Sequence, residues 1–419
     1  MTETVRARVG FGSVFAVAEF RGLFAAQVLS LLGDMLARVA LAVLVFDRTG
    51  SALLTGLVYA LGFLPAVVGG PLLGGLADRH PRRQLMVRTD LARAALVAAM
   101  ALAGGHLVLL CLFLVAAELL AAPFGAARAA LLADVLSGEK YLVASAVSNI
   151  TAQSAQVLGF ALGGGLVVLL GTRSTLLIDA ATFLASALVL RLSVRDRPSP
   201  AGAGGRGDTA RRRPSDVARL LLTDRRLRLL VMLALLCGFY VVPEGLAAPY
   251  AAALGGGPAT VGMIMAAQPV GAAAGAVLIA TAVAPDRRLR LMLPMAVLAS
   301  GALLGCLLRP GTEVLFVLLV VSGLATAYQL PANAAFVTGV PDAVRGQAFG
   351  LVQAGIVAVQ GAAFLVAGAL AEYLEPRLVV AAAGGLGATA ALLLALTHRR
   401  TILSREPEGG SAAGSPQRI

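Results

Sequence analysis

Residues 74–83 read Gly74-Gly-Leu-Ala-Asp-Arg-His-Pro-Arg-Arg83, one acid and three arginines in ten positions. Apolar stretches flank them, near 54–76 and 85–103, each close to the ~20 residues a helix needs to cross a bilayer. The pattern of long apolar run and short charged loop continues outward in both directions. Of 419 residues, 58% are hydrophobic and 13% charged, about half the charge of an average soluble domain, and mean hydropathy is +0.87. A water-soluble core of this size does not bury that much apolar sequence. The runs are continuous and rich in Ala, Leu and Val, where a β-barrel would alternate over ~10-residue segments. The fold class is an all-α membrane protein.

Hydropathy places twelve transmembrane helices in two sets, near 23–46, 54–76, 85–103, 107–131, 144–170 and 175–192, then 229–254, 259–283, 291–308, 314–337, 346–371 and 378–396. The expected organisation is a cytoplasmic N-terminal segment (1–22), a six-helix bundle (23–192), an Arg/Gly/Pro-rich linker (193–228, containing SPAGAGGRGDTARRRPS), a second bundle (229–398) and a disordered tail (399–419). Glu19 and Arg21 interrupt the first apolar stretch, so the N-terminus reads as a cytoplasmic lead-in, not a cleaved signal. With loops assigned alternately to two sides, 27 Arg and Lys fall on one side and 4 on the other, and Arg38, Arg93 and Arg128 lie within helices. The positive-inside rule then puts both termini and the linker in the cytoplasm. It also explains the +12 net charge without a nucleic-acid partner. The three cysteines (Cys111, Cys237, Cys306) sit in apolar runs without ligand spacing, and neither a metal nor a cofactor is expected. Shifted by 206 residues, the first half matches the second at Gly56/Gly262, Ala60/Ala266, Gly69/Gly275, Arg82/Arg288, Leu85/Leu291 and Met86/Met292.

The opening decapeptide resembles the major facilitator signature G-x-L-A-D-R-x-G-R-R, with Pro81 in place of glycine, and it lies between the second and third helices as that signature requires. Two six-helix halves related by a parallel repeat are the pattern of that architecture. The resemblance implies a cytoplasmic gate built from Gly74, Asp78, Arg79, Arg82 and Arg83. Asp78 would face the start of the eleventh helix near Gly346, and Arg82 would pair with Asp134. Further stretches resemble the macrolide-efflux and siderophore-exporter branch of the drug:proton antiporters. They are Gln27-x-x-Ser-x-x-Gly-Asp34, FDRTGSALLTGL, ARAALLADVL (127–136), DAATFLASAL (179–188), Val242-Pro-Glu-Gly-Leu-Ala-Ala-Pro-Tyr250 and PDAVRGQAFGL (341–351). Gly159, Gly163 and Gly164 resemble the antiporter signature G-P-x-x-G-G with Phe160 replacing proline, and close helix packing is the alternative use of these glycines.

An ionisable residue inside a membrane helix is costly and marks a functional candidate. Asp34, Glu118 and Glu244 lie well inside the first, fourth and seventh runs, and Tyr328, Gln329 and Asn333 supply polar groups on the tenth. The resemblance implies that these four helices line a central cavity. Arg38 stands one turn after Asp34, so an Asp34–Arg38 pair is expected to keep Asp34 ionised. Glu118 and Glu244 have no cation within a turn, and a dry site favours the neutral, proton-carrying form of an acid. Glu118 is therefore expected to carry protons and Glu244 to meet substrate. Asp179 serves equally well as a helix-bridging acid. Seven prolines within helices suit a bundle that rocks. The expected function is proton-coupled export of amphipathic small molecules across the bacterial plasma membrane by a monomer. Siderophore export or lysophospholipid flipping by the same fold is the alternative. No nucleotide-binding loop is present and the three histidines stand near helix ends, so neither direct ATP use nor enzymatic chemistry is expected.

Overall fold

Long runs of Ala, Leu and Val form helices here because a helix satisfies every backbone N–H and C=O within the segment, with no need of water. The computed structural model describes residues 11–73, 76–103, 106–197, 214–341 and 344–403, and among them no strand occurs. After α1 (Phe11–Phe15), the first half consists of α2 (Ala18–Thr49), α3 (Ala52–Leu73), the single turn α4 (Leu76–Arg79), α5 (Arg82–Leu102), α6 (Leu107–Val135) and α7 (Glu139–Ser193). Helix α8 (Pro214–Thr223) leads to a broken helix, α9 (Arg225–Leu235), α10 (Cys237–Tyr240), α11 (Val242–Gly245) and α12 (Ala247–Ala253). Then follow α13 (Pro258–Thr281), α14 (Pro285–Gly301), α15 (Thr312–Ala325), α16 (Gln329–Gly339), α17 (Arg345–Ala371) and α18 (Pro376–Leu403). Short 3₁₀ stretches extend α14 over Ala302–Leu308 and join α15 to α16 over Thr326–Tyr328.

Nine helices among the described residues are long and apolar enough to cross a membrane. The sequence leads to twelve, and the two numbers differ at α3, α5 and α7. Helix α3 counts only over Ala52–Phe63, because most side chains after Phe63 lie outside the described residues, and α5 opens with Arg82, Arg83, Arg88 and Asp90. Helix α7 is a single 55-residue element with one non-helical residue, Gly171 at φ 80°, a left-handed conformation that glycine adopts without a Cβ clash. The chain reverses there. Before Gly171, α7 runs beside α2 in the same sense, Gly159 on Met35 and Gly163 on Val39. After it the chain returns, Asp179 on Gly33 and Ser193 on Gly22.

Boundaries shift where charged residues find partners. Helix α2 starts at Ala18 instead of 23, and Glu19 accepts from Arg197 at 2.8 Å. Part of the expected linker is helical: α8 buries Val217 and Leu221 and packs on α9 and α17. Helix α18 continues to Leu403, past the expected end at 396. The centre of the linker (198–213) and the residues after 403 lie outside the described residues.

The halves meet through paired glycines. A Cβ on Gly56 would stand 2.5 Å from the Phe364 carbonyl oxygen and 3.2 Å from Gly368 Cα. On Gly262 it would stand 2.7 Å from the Phe160 oxygen and 2.8 Å from Gly164 Cα. So the repeat-related glycines pack α3 on α17 and α13 on α7 in the same way. Residues 206 apart also touch across the pseudo-axis, since Tyr59 donates to the Met265 sulfur at 3.3 Å. These contacts all lie away from the face that carries the Gly74–Arg83 loop. At that Arg-rich face, Gly346 at the start of α17 is exposed with open space beside it.

Candidate functional site

One face of α2 collects the charges of the first half. Gln27, Ser30, Gly33 and Asp34 recur at helical spacing, so they project toward the same neighbours. The Gln27 oxygen accepts from Arg128 at 2.7 Å while its amide donates to the Ser148 carbonyl at 3.1 Å. Ser30 accepts from Arg93 at 3.3 Å. Gly33 leaves room for Asp179 and Thr182. Asp34 accepts from Arg93 at 2.7 Å. The Gln27–Asp34 stretch and the 179–188 stretch thus converge on one guanidinium. Arg93, 3% exposed, lies over the Phe183 ring at 4.2 Å, and Asp90, one turn earlier on α5, accepts from Ser186 at 2.6 Å. The Nε of Arg93 and Oδ1 of Asp90 are buried without a hydrogen-bond partner among the described residues.

This corrects the expected Asp34–Arg38 pair. Spacing along one helix cannot register a stronger partner on another, and Arg93 of α5 takes Asp34. Arg38 turns instead toward the second half, where its Nη1 stands 3.9 Å from Glu244. It also interacts electrostatically with Glu118 and lies over the Phe63 ring at 5.2 Å. Arg38, Tyr59, Phe63 and Glu118 line a cavity of about 20 Å³, room for one water molecule. Glu244 follows Pro243 in the broken helix, and its Oε1 is buried without a hydrogen bond among the described residues. Arg38 and Glu244 are also 206 residues apart, so they form a second contact across the pseudo-axis.

Tyr328, Gln329 and Asn333 do not join this cluster. Tyr328 is fully buried and donates to the Leu233 carbonyl at 2.7 Å, and Gln329 bonds the Tyr240 hydroxyl. Both line a separate cavity of about 300 Å³ with Asn333, Phe336, Phe349 and Gln353, where Gln329, Asn333 and Phe349 are exposed. Its amide and aromatic lining suits an amphipathic molecule.

At the Arg-rich face, Arg82 pairs with Asp134 and donates to the Ala130 carbonyl at 3.4 Å. Arg83 reaches Asp196 at 3.1 Å and the Val194 carbonyl at 3.2 Å. Arg79 is exposed. Gly74 and the side chain of Asp78 lie outside the described residues. The antiporter-like glycines are packing positions, Gly159 and Gly163 against α2 and Gly164 against Gly262 of the other half. Sequence reasoning missed Arg93 and Asp90 as site residues. An arginine inside an apolar run with an acid three positions earlier was the available signal.

A helical bundle in two repeated halves, with buried charges where they touch, defines a membrane transporter. The Major Facilitator Superfamily model matches residues 23–248 and 244–417, and the chain belongs to that superfamily. It is 38% identical over 77 residues to macrolide efflux protein A of Streptococcus pyogenes, covering 18% of this chain and 19% of that one. It is 31% identical over 175 residues to the uncharacterized MFS-type transporter YfiS of Bacillus subtilis, 42% of each chain. The chain therefore spans less than half the length of these curated relatives. Among solved structures it is similar to the nucleoside transporter NupG (TM-score 0.68, 14% identity, 92% of this chain and 100% of that one). It is also similar to a bacterial homolog of the human lysosomal transporter Spinster in an inward-facing, occupied conformation (TM-score 0.69, 16% identity, 90% and 97%).

Proposed function

We propose that this chain is a proton-coupled exporter of amphipathic small molecules, working by alternating access as a monomer in the bacterial plasma membrane. It crosses the membrane twelve times, with α3 and α5 each crossing once and α7 crossing twice about Gly171. The 27-to-4 division of basic residues orients the Arg-rich face and both termini toward the cytoplasm. The glycine contacts between the halves then lie toward the outer side.

The observation that carries the reading is Arg38 set between two acids, Glu118 of its own half and Glu244 of the other. Two buried carboxylates sharing one cation titrate as a unit. One proton, held by Glu118 or Glu244, balances the set. Moving it between them, or to an entering substrate's side, changes the attraction that ties Arg38 across the halves. Asp34 is held by Arg93. The amide-lined cavity of Gln329 and Asn333 receives the substrate, and the short match to the macrolide efflux protein supports an amphipathic one.

The test is transport of a macrolide and a cationic dye into proteoliposomes under an imposed pH gradient. Glu118→Gln and Glu244→Gln are expected to lose pH-driven transport while still exchanging substrate down its own gradient. If both keep full pH-driven transport and Asp34→Asn alone abolishes it, Asp34 is the coupling residue and this assignment is wrong.

A further inference from the structure

Outside the charge cluster, a groove of about 830 Å³ lies on the outer surface of the second half, between the α9–α10 segment and α18. Its shape follows from one close contact. A Cβ on Gly387 would stand 2.6 Å from the Phe239 Cβ, so α18 touches α10 there. From that crossing toward the Arg-rich face the two helices separate, and Met232, Leu235, Leu393 and Leu394 wall the space between them. Met232 and Leu393 are exposed, as residues facing hydrocarbon are.

The mouth of the groove is cationic. Arg225 is exposed and donates one N–H to the Thr397 carbonyl at 2.8 Å; Arg228 is half-buried and donates one to the Leu222 carbonyl at 3.1 Å. Neither forms an ion pair with any described acid, and no described acid lines the groove. The neighbouring Asp224 is already engaged, accepting from the Arg226 and Leu227 backbone as the cap of α9. Each guanidinium has five donors in a planar fork and spends one, leaving the geometry that matches a phosphate. From Arg225 to Phe239 the helical rise gives about 21 Å, enough for the headgroup level plus the ~15 Å hydrocarbon depth of one leaflet.

We propose that this groove binds an anionic phospholipid, its phosphodiester on Arg225 and Arg228 and an acyl chain lying between α9–α10 and α18. Apolar walls, a charged mouth at headgroup level and a depth of one leaflet together select a lipid over a soluble anion or a second protein. Basic pockets between membrane helices are a general mode of headgroup recognition. The proposal rests on the membrane-spanning reading and on neither the substrate nor the coupling ion.

Native mass spectrometry of the full chain in neutral detergent tests it, with phosphatidylglycerol and phosphatidylcholine of matched chains as probes. The first phosphatidylglycerol is expected to bind about tenfold more tightly than phosphatidylcholine. Arg225→Gln/Arg228→Gln should bring the two lipids level. Ala390→Trp, which fills the groove and leaves both arginines in place, should remove most phosphatidylglycerol binding. Equal binding of the two lipids to the unaltered protein overturns the proposal. So does a preference that survives the double substitution, full binding by Ala390→Trp, or displacement of the lipid by glycerol 3-phosphate at equal concentration. Because no transport is measured, failure here leaves the exporter reading untouched.

Discussion

The two halves share their packing and not their charge. Gly56 and Gly262 bring helices to backbone contact in the same way, and Tyr59–Met265 and Arg38–Glu244 meet at the same 206-residue offset. Yet Asp90, Arg93 and Asp179, all buried, belong to the first half. The positions 206 residues beyond Asp90 and Arg93 are Ala296 and Ala299, also buried. The gate-loop arginine differs too. Arg82 crosses to Asp134 on α6, whereas Arg288 bonds the carbonyls of Ala280 and Val283 at the end of its own hairpin. Among the described residues, the second half therefore packs without a comparable buried ion network. Glu244 is the acid of the second half that Arg38 reaches among the described residues.

The comparison breaks most readily at Arg93. Arg93→Met would leave Asp34 without its counter-ion and Asp90 and Asp179 near no cation, and removing one partner of a buried pair costs about 3–5 kcal/mol. Thermal unfolding in detergent should show a large loss of stability, partly restored by adding Asp34→Asn. An Arg93→Met protein that melts like the unaltered one would make the first half as indifferent to charge as the second.

Next in size is the symmetry of the glycine contacts. Gly56→Val and Gly262→Val each force a side chain onto a carbonyl 2.5 or 2.7 Å from the Cβ position, and overpacking of this kind costs about 1–3 kcal/mol. Both should prise the halves apart at the face opposite the Gly74–Arg83 loop. The readout is the labelling rate of a cysteine introduced at Ser51 or Gly257, and the two variants should raise it by similar factors. A strong effect of one and none of the other would show that a single contact holds the closure.

How much of this the sequence discloses follows the range of each interaction. Apolar runs, the Gly74–Arg83 loop and the 206-residue repeat are local or periodic, and they lead directly to a two-half helical bundle. Glu118 and Glu244 stood out because an acid in an apolar run is conspicuous whatever surrounds it. The partner of Asp34 was not legible, since the i, i+4 argument sees Arg38 and cannot see α5. The reversal at Gly171 fell between two runs, but its left-handed backbone has no marker beyond one glycine among 48. Helix α8 was hidden because a hydropathy window long enough for a membrane span averages Val217 and Leu221 with the arginines around them.

The smallest effect concerns a polar contact between the halves at the outer rim. Glu372, just past α17, accepts from the Ser51 hydroxyl at 2.6 Å and from the Leu53 backbone N–H at 2.8 Å, capping α3 from the other half. The repeat places Gly257 opposite Ser51, and α13 starts there without a side-chain cap, so only one of the two related contacts has this tie. The Ser51 hydroxyl, and after it the Leu53 backbone, hold the Glu372 carboxyl below its ordinary value of 4.5. A lowered carboxylate value means the tie is fully made above pH ~4.5 and is lost as pH falls through the lowered value. Labelling of a cysteine at Thr49, taken relative to a free thiol at the same pH, should therefore be flat from neutral pH down to the ordinary carboxylate range and rise only below it. Because the group is exposed, the rise should be less than about threefold. Glu372→Gln should show the raised rate at every pH. A midpoint between pH 6 and 8 that persists in Glu372→Gln would assign the closure to the embedded acids, and the rim contact would then play no part in it.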